Sequence, residues 1–394
     1  MNKREVVVLA AARSAIGAFG GSLSGVEPID LAADVMKATI ERSGVDPNEI
    51  GYAAVGNIIP TEARYAYVSR VASVQAGLPE TSVAMAVNRL CASGLQAIVT
   101  SAQQIELGDY EYAIGGGVEV MSRGTYMAPA MRSGARMGDT NLHDSMVNAL
   151  TDPFGVGHMG ITAENLAEQY SISREEQDEF ALESQERAAK AIAEGRFVEQ
   201  IVPITLKSRK GETVFDTDEH PRAGVTIEAL AKMRPAFKKD GTVTAGNASG
   251  INDGASFMVL ADAEVAEKAG HKPFAKIVGY AVAGVDHSIM GYGPVPAVKK
   301  VLEKTGLKLE DIDVIESNEA FAAQACTVAK ELGLDPEKTN PNGGAIALGH
   351  PIGASGAIIA TKALYEMKRI NGKYAMATMC VGGGQGIAVI FENV

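Results

Sequence analysis

Apolar residues along this chain fall into short continuous runs and helical stripes that alternate. Glu5 to Ala10 is a strand-like stretch. Ala32, Val35, Met36 and Ile40 then recur at helical spacing until Gly44 ends the stripe, and Ala297, Val298, Val301 and Leu302 do the same ahead of Gly306. YEYAIGGGVEVMS at 110–122 and KYAMATMCVGGGQGIAVIF at 373–391 each read as an apolar strand running into glycines, the second continuing into a further strand. The rhythm of strand, helix, strand, helix, strand in each half predicts an α/β fold with helices covering mixed sheets.

The two halves are copies. At an offset of 262 residues, GVDPNEIGYAAVG at 44–56 aligns with GLKLEDIDVIESN at 306–318, and Ala92-Ser93-Gly94 falls on Ala354-Ser355-Gly356. The residues between the halves change character. Met, Arg and Gly-rich loops at 121–139 precede predicted helices over 162–170 and 174–194, the second opened by a Ser173/Glu176 capping box. A charged hairpin at 207–222, a further helix and the turn-rich TVTAGNASGINDG at 242–254 follow. The expected division is an N-terminal core half over 1–121 and 251–272, an inserted loop domain over 122–250, and a C-terminal core half over 273–394.

Composition narrows the function. With 46% hydrophobic and 21% charged residues the chain reads as a soluble globular protein, and its net charge of −12 opposes non-specific binding to nucleic acid or an anionic membrane. No apolar run approaches the roughly 20 residues of a membrane span, Met1 to Arg4 leads directly into the first strand, and Glu392-Asn393-Val394 is no retention signal; the expected location is the cytoplasm. Three cysteines without CxxC spacing support neither a disulfide framework nor a zinc knuckle, and no metal site is expected.

Thiol chemistry is left open. Cys91, in NRLCASGLQAI, precedes a predicted helix, where free amides and the helix dipole favour a thiolate that attacks carbonyl carbon. His350, in NGGAIALGHPIGASGA, opens the equivalent helix of the second half, so the duplication aims both at the boundary between halves. An imidazole there can accept the thiol proton and later donate to an oxyanion. Cys380 opens CVGGGQG, whose Gly382 to Gly384 leave room for a substrate or an amide donor. That run lacks the last glycine of GxGxxG, because Ile387 stands there, which disfavours a dinucleotide site. Asn318 sits at the end of a strand predicted at 313–317, where its amide can hold water; Glu319 beside it reads either as a general base or as a helix-capping partner.

NRLCASG, GHMG at 157–160, NEAFAA at 318–323, GGAIALGHPIGASG and CVGGGQG occur together in the order and spacing of the thiolase family, and the resemblance runs over essentially the whole chain. His158-Met159 makes it most similar to the bacterial short-chain biosynthetic type. The resemblance implies a layered αβαβα core of two duplicated halves with an inserted loop domain. It implies an acyl-enzyme on Cys91 activated by His350, with Cys380 as acid and base, His350 and an Asn318-bound water on the enolate, and amides of Cys91 and Gly382 on the tetrahedral intermediates.

It further implies no prosthetic group, with coenzyme A thioesters as substrates held by the loop domain: Arg222 beside the nucleotide; Ser249, Ala245 and Phe237 along the pantetheine arm; His158 and Met159 in the pocket; Phe321 and Met290 around the acyl group. Ala229 replaces a serine of some relatives, so one polar contact is expected to be missing. Acetyl-CoA, acetoacetyl-CoA and CoA are the leading partners, in a reversible Claisen condensation. A broader β-ketothiolase is the alternative, because small residues in FGVGHMG at 154–160 can widen a pocket that Met290 crowds. Rivals of another class are a decarboxylating ketoacyl-synthase-like condensing enzyme, against which Cys380 speaks, and a non-catalytic acyl-CoA binding protein. A homodimer through the core halves, paired into a homotetramer by an arm at 121–139, is the expected assembly. If Cys91 and Cys380 share a site, oxidation is expected to join them reversibly; Cys326 carries no such case.

Overall fold

The computed structural model describes residues 4–209 and 211–394; Met1 to Lys3 and Lys210, which falls in the expected charged hairpin, lie outside the described residues. The first half runs β1 (Val6–Ser14), α1 (Pro28–Ser43), β2 (Ile50–Gly56), α2 (Val68–Gln75), β3 (Val83–Val87), α3 (Ser93–Leu107) and β4 (Tyr112–Val120). Residues 121–251 then intervene, carrying α4 (Met159–Tyr170) and α5 (Arg174–Ala193), before β5 (Asn252–Asp262) completes the half. The second half runs β6 (Ala275–Gly284), α6 (Pro294–Thr305), β7 (Val314–Ser317), α7 (Ala322–Leu332), α8 (Ile352–Arg369), β8 (Tyr374–Val381) and β9 (Gln385–Asn393). The 262-residue offset lays β2 on β7, α3 on α8 and β4 on β8. Only Gly382 to Gly384 separate β8 from β9, so the long segment is inserted between the counterparts of these two strands.

Local signals set the element ends. Pro28 occupies the first turn of α1, where its missing N–H costs nothing, and Gly44 closes the helix in the left-handed region at φ 70°. The Ser173/Glu176 capping box forms at the start of α5. The charged hairpin is formed by Ile204–Ser208 and Gly211–Phe215, shorter than the expected 207–222. The first strand is longer than Glu5 to Ala10, because the chain continues to pair with β5 as far as Arg13.

The strands make one hydrogen-bonded sheet in the order β7-β8-β9-β6-β1-β5-β4-β2-β3, which mirrors itself about the β6/β1 seam. That seam is thin: Val7 pairs with Lys276 and Val8 with Ala275. Around it the sheet folds into layers. One apolar cluster joins α1 and α2 to the outer face of β1, β5, β4 and β2. A second gathers α3 and α8 between the two halves of the sheet, and a third buries α6 and α7 on the outer face of β6, β9 and β8. The result is the αβαβα stack, a burial pattern in which each sheet face and helix stripe finds an apolar partner.

Glycines bring the two central helices together at their N-termini. A Cβ at Gly94 would lie 2.9 Å from the Gly353 carbonyl oxygen, and one at Gly117 would lie 2.1 Å from it. Neither position accommodates a side chain without moving backbone, so α3 and α8 cross closely there and the loops that precede them converge.

Candidate active site

Cys91 is delivered by a strained turn. Leu90 adopts φ 45°, a left-handed conformation unusual for a branched residue, and the turn is held by Ser93 Oγ, which accepts from Arg89 N at 2.9 Å and donates to the Leu90 carbonyl at 2.7 Å. α3 begins two residues later. The amides of Gly382 and of Cys91 itself face the sulfur, yet burial outweighs them and pushes the thiol up to about 11. Apolar packing by distant segments exceeds the effect of the helix terminus that favours a thiolate, so the sulfur needs a base to take its proton.

His350 precedes α8 and is buried, at 5% exposure. Its backbone N–H donates to Asn252 Oδ1 at 2.9 Å, and a Cβ at Gly349, φ 106°, would strike that same asparagine. The ring Nδ1 lies 2.6 Å from Ser355 Oγ, whose hydroxyl donates to the Pro351 carbonyl at 2.8 Å. A Ser355 hydroxyl that donates to Pro351 accepts from Nδ1–H, the tautomer that leaves Nε2 as the free acceptor. Burial lowers the imidazole pKa to about 4, so the ring rests neutral and able to take a proton.

Cys380, 1% exposed, ends β8 among Met159, Met290, Ala320 and Phe321. Burial and the neighbouring Cys91 both raise its pKa well above the usual thiol range. All three cysteines are free. Cys91, His350, Cys380 and Gly382 line one cavity of about 530 Å³, together with His158, Met159, Arg222, Phe237, Ala245, Ser249, Met290 and Phe321. Asn318 does not line it. The residue is 2% exposed, two positions before the lining Ala320, and both its side-chain oxygen and nitrogen lack a hydrogen-bond partner. A buried amide in that state has the geometry of a water holder.

Glu319 is excluded as the base. Its carboxylate accepts from Ser184 Oγ at 2.7 Å, Asn340 Nδ2 at 2.8 Å and Ile346 N at 3.2 Å, outside the cavity lining. It caps the short helix Ala345–Leu348 that leads to His350. The amide of Asn340 also accepts from Ser317 N, so this network fixes the chain on both sides of Asn318.

One side of the cavity is an aromatic wall. His158 Nδ1 accepts from Gly160 N at 3.1 Å as the cap of α4, and its ring stacks on Phe237 with centroids 4.6 Å apart. Phe237 meets Phe321 edge-on at 6.0 Å. Ser249 N donates to the Ala320 carbonyl, tying the loop ahead of β5 to the NEAF segment. Arg222 and Ala245 are exposed, and Ala229, on the short helix Ile227–Ala231, is exposed and does not line the cavity.

Two residues not singled out from the sequence belong here. His220 lines the cavity beside Arg222; burial and that guanidinium lower its pKa to about 4. Its position in EHPR, two residues before Arg222, was the available signal. Glu119 is a buried carboxylate in β4 that accepts from Asn57 Nδ2, Ile58 N, Ile59 N and Gly353 N, each at 3.1 Å. Burial pushes it up to about 8 against these donors. It clamps the first turn of α8 to the loop after β2, and an acid inside an apolar strand was its visible sign.

Comparison with known proteins gives one consistent result. The family model described as thiolase, N-terminal domain, matches residues 6–264, and that described as thiolase, C-terminal domain, matches 271–393. The chain is similar to "Beta-ketothiolase BktB" of Cupriavidus necator, 57% identical over 392 residues and covering 99% of this chain and 100% of the relative. It is 50% identical to an acetyl-CoA acetyltransferase of Pseudomonas aeruginosa over 388 residues, 98% of each. Among solved structures it resembles the Bacillus anthracis acetyl-CoA acetyltransferase with a TM-score of 0.98 at 49% identity and full coverage of both chains. It also resembles human mitochondrial 3-ketoacyl-CoA thiolase in complex with CoA, with a TM-score of 0.96 at 44% identity over 99% and 98% of the two chains.

Proposed function

The chain belongs to the thiolase family of acyltransferases, and on that premise we propose that it is an acetyl-CoA C-acetyltransferase, condensing two acetyl-CoA to acetoacetyl-CoA and CoA, reversibly, through acetyl-Cys91. The observation that carries this reading is the meeting of two cysteines and a neutral histidine in one cavity, with amides of Cys91 and Gly382 on the nucleophilic sulfur.

Protonation states order the steps. In the first half-reaction His350 Nε2 takes the Cys91 proton as sulfur attacks the acetyl carbonyl, and the tetrahedral oxygen is held by the Cys91 and Gly382 amides. Cys380, a weak acid because it is buried, protonates the departing CoA sulfur and is left as a strong thiolate base. In the second half it removes the α-proton of an incoming acetyl-CoA. His350, now an imidazolium, and water on Asn318 stabilise the enolate oxygen. The enolate carbon attacks acetyl-Cys91, and collapse expels the Cys91 thiolate, which recovers its proton from His350. Every group returns to its starting state.

Arg222 serves the nucleotide, Ser249, Ala245 and Phe237 line the path of the pantetheine arm, His158 and Met159 line the pocket, and Phe321 and Met290 surround the acyl group. Met290, 3% exposed among Met159, Phe321 and Cys380, limits the room for long acyl chains. No described helix is long and apolar enough to cross a membrane; a cytoplasmic location fits that. A dimer through the core is supported by the unpaired edge strand β3, where Val83 and Met85 are exposed, and a tetramer arm by exposed Tyr126, Met127, Met131 and Met137. Elution mass tests the assembly. The activity is tested by thiolysis: acetoacetyl-CoA with CoA is expected to yield acetyl-CoA, and CO₂ release from malonyl-CoA with no thiolysis would favour the condensing-enzyme alternative.

A further inference from the structure

Two walls of the cavity meet at a contact that the chemistry above does not use. One wall is the loop between Leu150 and Met159, both of which line the cavity. Its base is closed by Met159 N donating to the Leu150 carbonyl at 2.8 Å and Asp152 N donating to the Gly157 carbonyl at 2.7 Å, and its tip turns on Gly155 and Gly157, φ 103° and 109°. The other wall is the 3-10 segment His287–Tyr292, which carries Met290 into the cavity beside Cys380. That segment is anchored at one end by Val285 N on the Gly384 carbonyl and along its length by Asn165 Nδ2 on the Ser288 carbonyl.

Asp152 joins the two. Its Oδ1 accepts from Phe154 N at 2.8 Å and Val156 N at 3.3 Å, which shapes the loop. Its Oδ2, fully buried, lies 3.3 Å from His287 Nδ1, an electrostatic approach short of a hydrogen bond, and neither atom has a hydrogen-bond partner. The Phe154 ring, otherwise exposed, covers His287 with centroids 4.6 Å apart. The glycine-hinged loop is thus held against the Met290 segment from outside by one carboxylate, one imidazole and one ring.

We propose that the Asp152–His287 tie sets the width of the acyl end of the cavity and so is a determinant of acyl chain length, acting by position rather than by contact with substrate. The inference rests on the thiolase reading. With the tie intact, Met159 and Met290 stay packed in one apolar cluster with Cys380, which leaves room for a short acyl group. With it released, the loop swings on Gly155 and Gly157 and the space beside Met290 lengthens.

The test compares thiolysis of acetoacetyl-CoA and 3-ketohexanoyl-CoA by wild type, His287→Ala, His287→Gln and Asp152→Asn, with acetylation of Cys91 by acetyl-CoA measured on each. His287→Ala is expected to raise the kcat/KM ratio of the longer to the shorter substrate by about tenfold, the scale of discrimination that one or two methylenes carry in an apolar pocket. The change is expected in KM for the longer substrate, with Cys91 acetylation unchanged. His287→Gln, which keeps a polar side chain of similar reach facing Asp152, is expected to stay near the wild-type ratio. Asp152→Asn keeps Oδ1 for the loop amides and loses the charge, and is expected to shift the ratio in the same direction as alanine. An unchanged ratio in both His287→Ala and Asp152→Asn, or equal loss on both substrates, overturns the proposal. Failure of wild type to acetylate Cys91 would instead overturn the reading on which it stands.

Discussion

His350 Nδ1 lies 2.6 Å from Ser355 Oγ, and the same hydroxyl donates to the Pro351 carbonyl at 2.8 Å. A hydroxyl one turn into α8 therefore decides which ring nitrogen is free to receive the thiol proton. Ser355→Ala leaves Nδ1–H without an acceptor and both tautomers open. The expected outcome is a fall in kcat of about tenfold with KM for acetyl-CoA little changed, since the loss bears on proton transfer rather than on binding. Steady-state kinetics check this, and an unaltered kcat would show that the ring is oriented by other contacts.

Cys91 alkylation is expected to follow the buried thiol. Because the thiol is pushed up to about 11, the rate of modification by iodoacetamide in the absence of substrate should climb steadily from pH 7 to above 9 without reaching a plateau. A plateau near neutral pH would mean that a thiolate is present at rest.

Acid should unfold the protein partly through His350. The folded-state pKa, about 4, lies below the ordinary value of 6.5, so the unfolded chain binds the extra proton more readily. Stability is then full above pH 6.5 and is lost as pH falls towards 4, by up to about 3 kcal/mol for this one buried ring. His220 adds in the same direction. Thermal melts from pH 7 to 4.5 are expected to shift downwards, and His350→Asn to flatten that dependence; an unchanged slope in the variant would contradict the assignment.

Gly160 has no room for a side chain, because a Cβ there would lie 2.2 Å from the Phe237 ring. Gly160→Ala forces that ring off His158 and out of the cavity wall, where we propose that the pantetheine arm runs. Overpacking of this kind costs about 1–3 kcal/mol. The variant is expected to raise KM for acetyl-CoA while remaining able to acetylate Cys91 at saturating substrate, measured by initial rates and intact mass; wild-type KM would place the coenzyme elsewhere.

The convergence of Cys91 and His350 is legible in the sequence, because both residues precede helices related by the internal repeat, and a pseudo-twofold of that kind brings paired helix ends together. The glycines that let α3 and α8 approach, Gly94 and Gly353, stand in the same motifs. Protonation was not legible. The thiol of Cys91 is raised by packing whose members come from remote parts of the chain, and a local view of the helix terminus gives the opposite sign. Glu319 illustrates the same limit: next to Asn318 in sequence, it turns away to Ser184, Asn340 and Ile346. Glu119, Asp152 and His287 sit in no short motif, and their roles emerge only when segments far apart in the chain meet.

The central claim, covalent transfer through Cys91, is tested most directly by the intact mass of the protein after mixing with acetyl-CoA, with Cys91→Ala and Cys380→Ser alongside. One added acetyl group is predicted on wild type and on Cys380→Ser, and none on Cys91→Ala. An acetyl adduct that persists in Cys91→Ala, or no adduct on wild type with no CoA released, would contradict it.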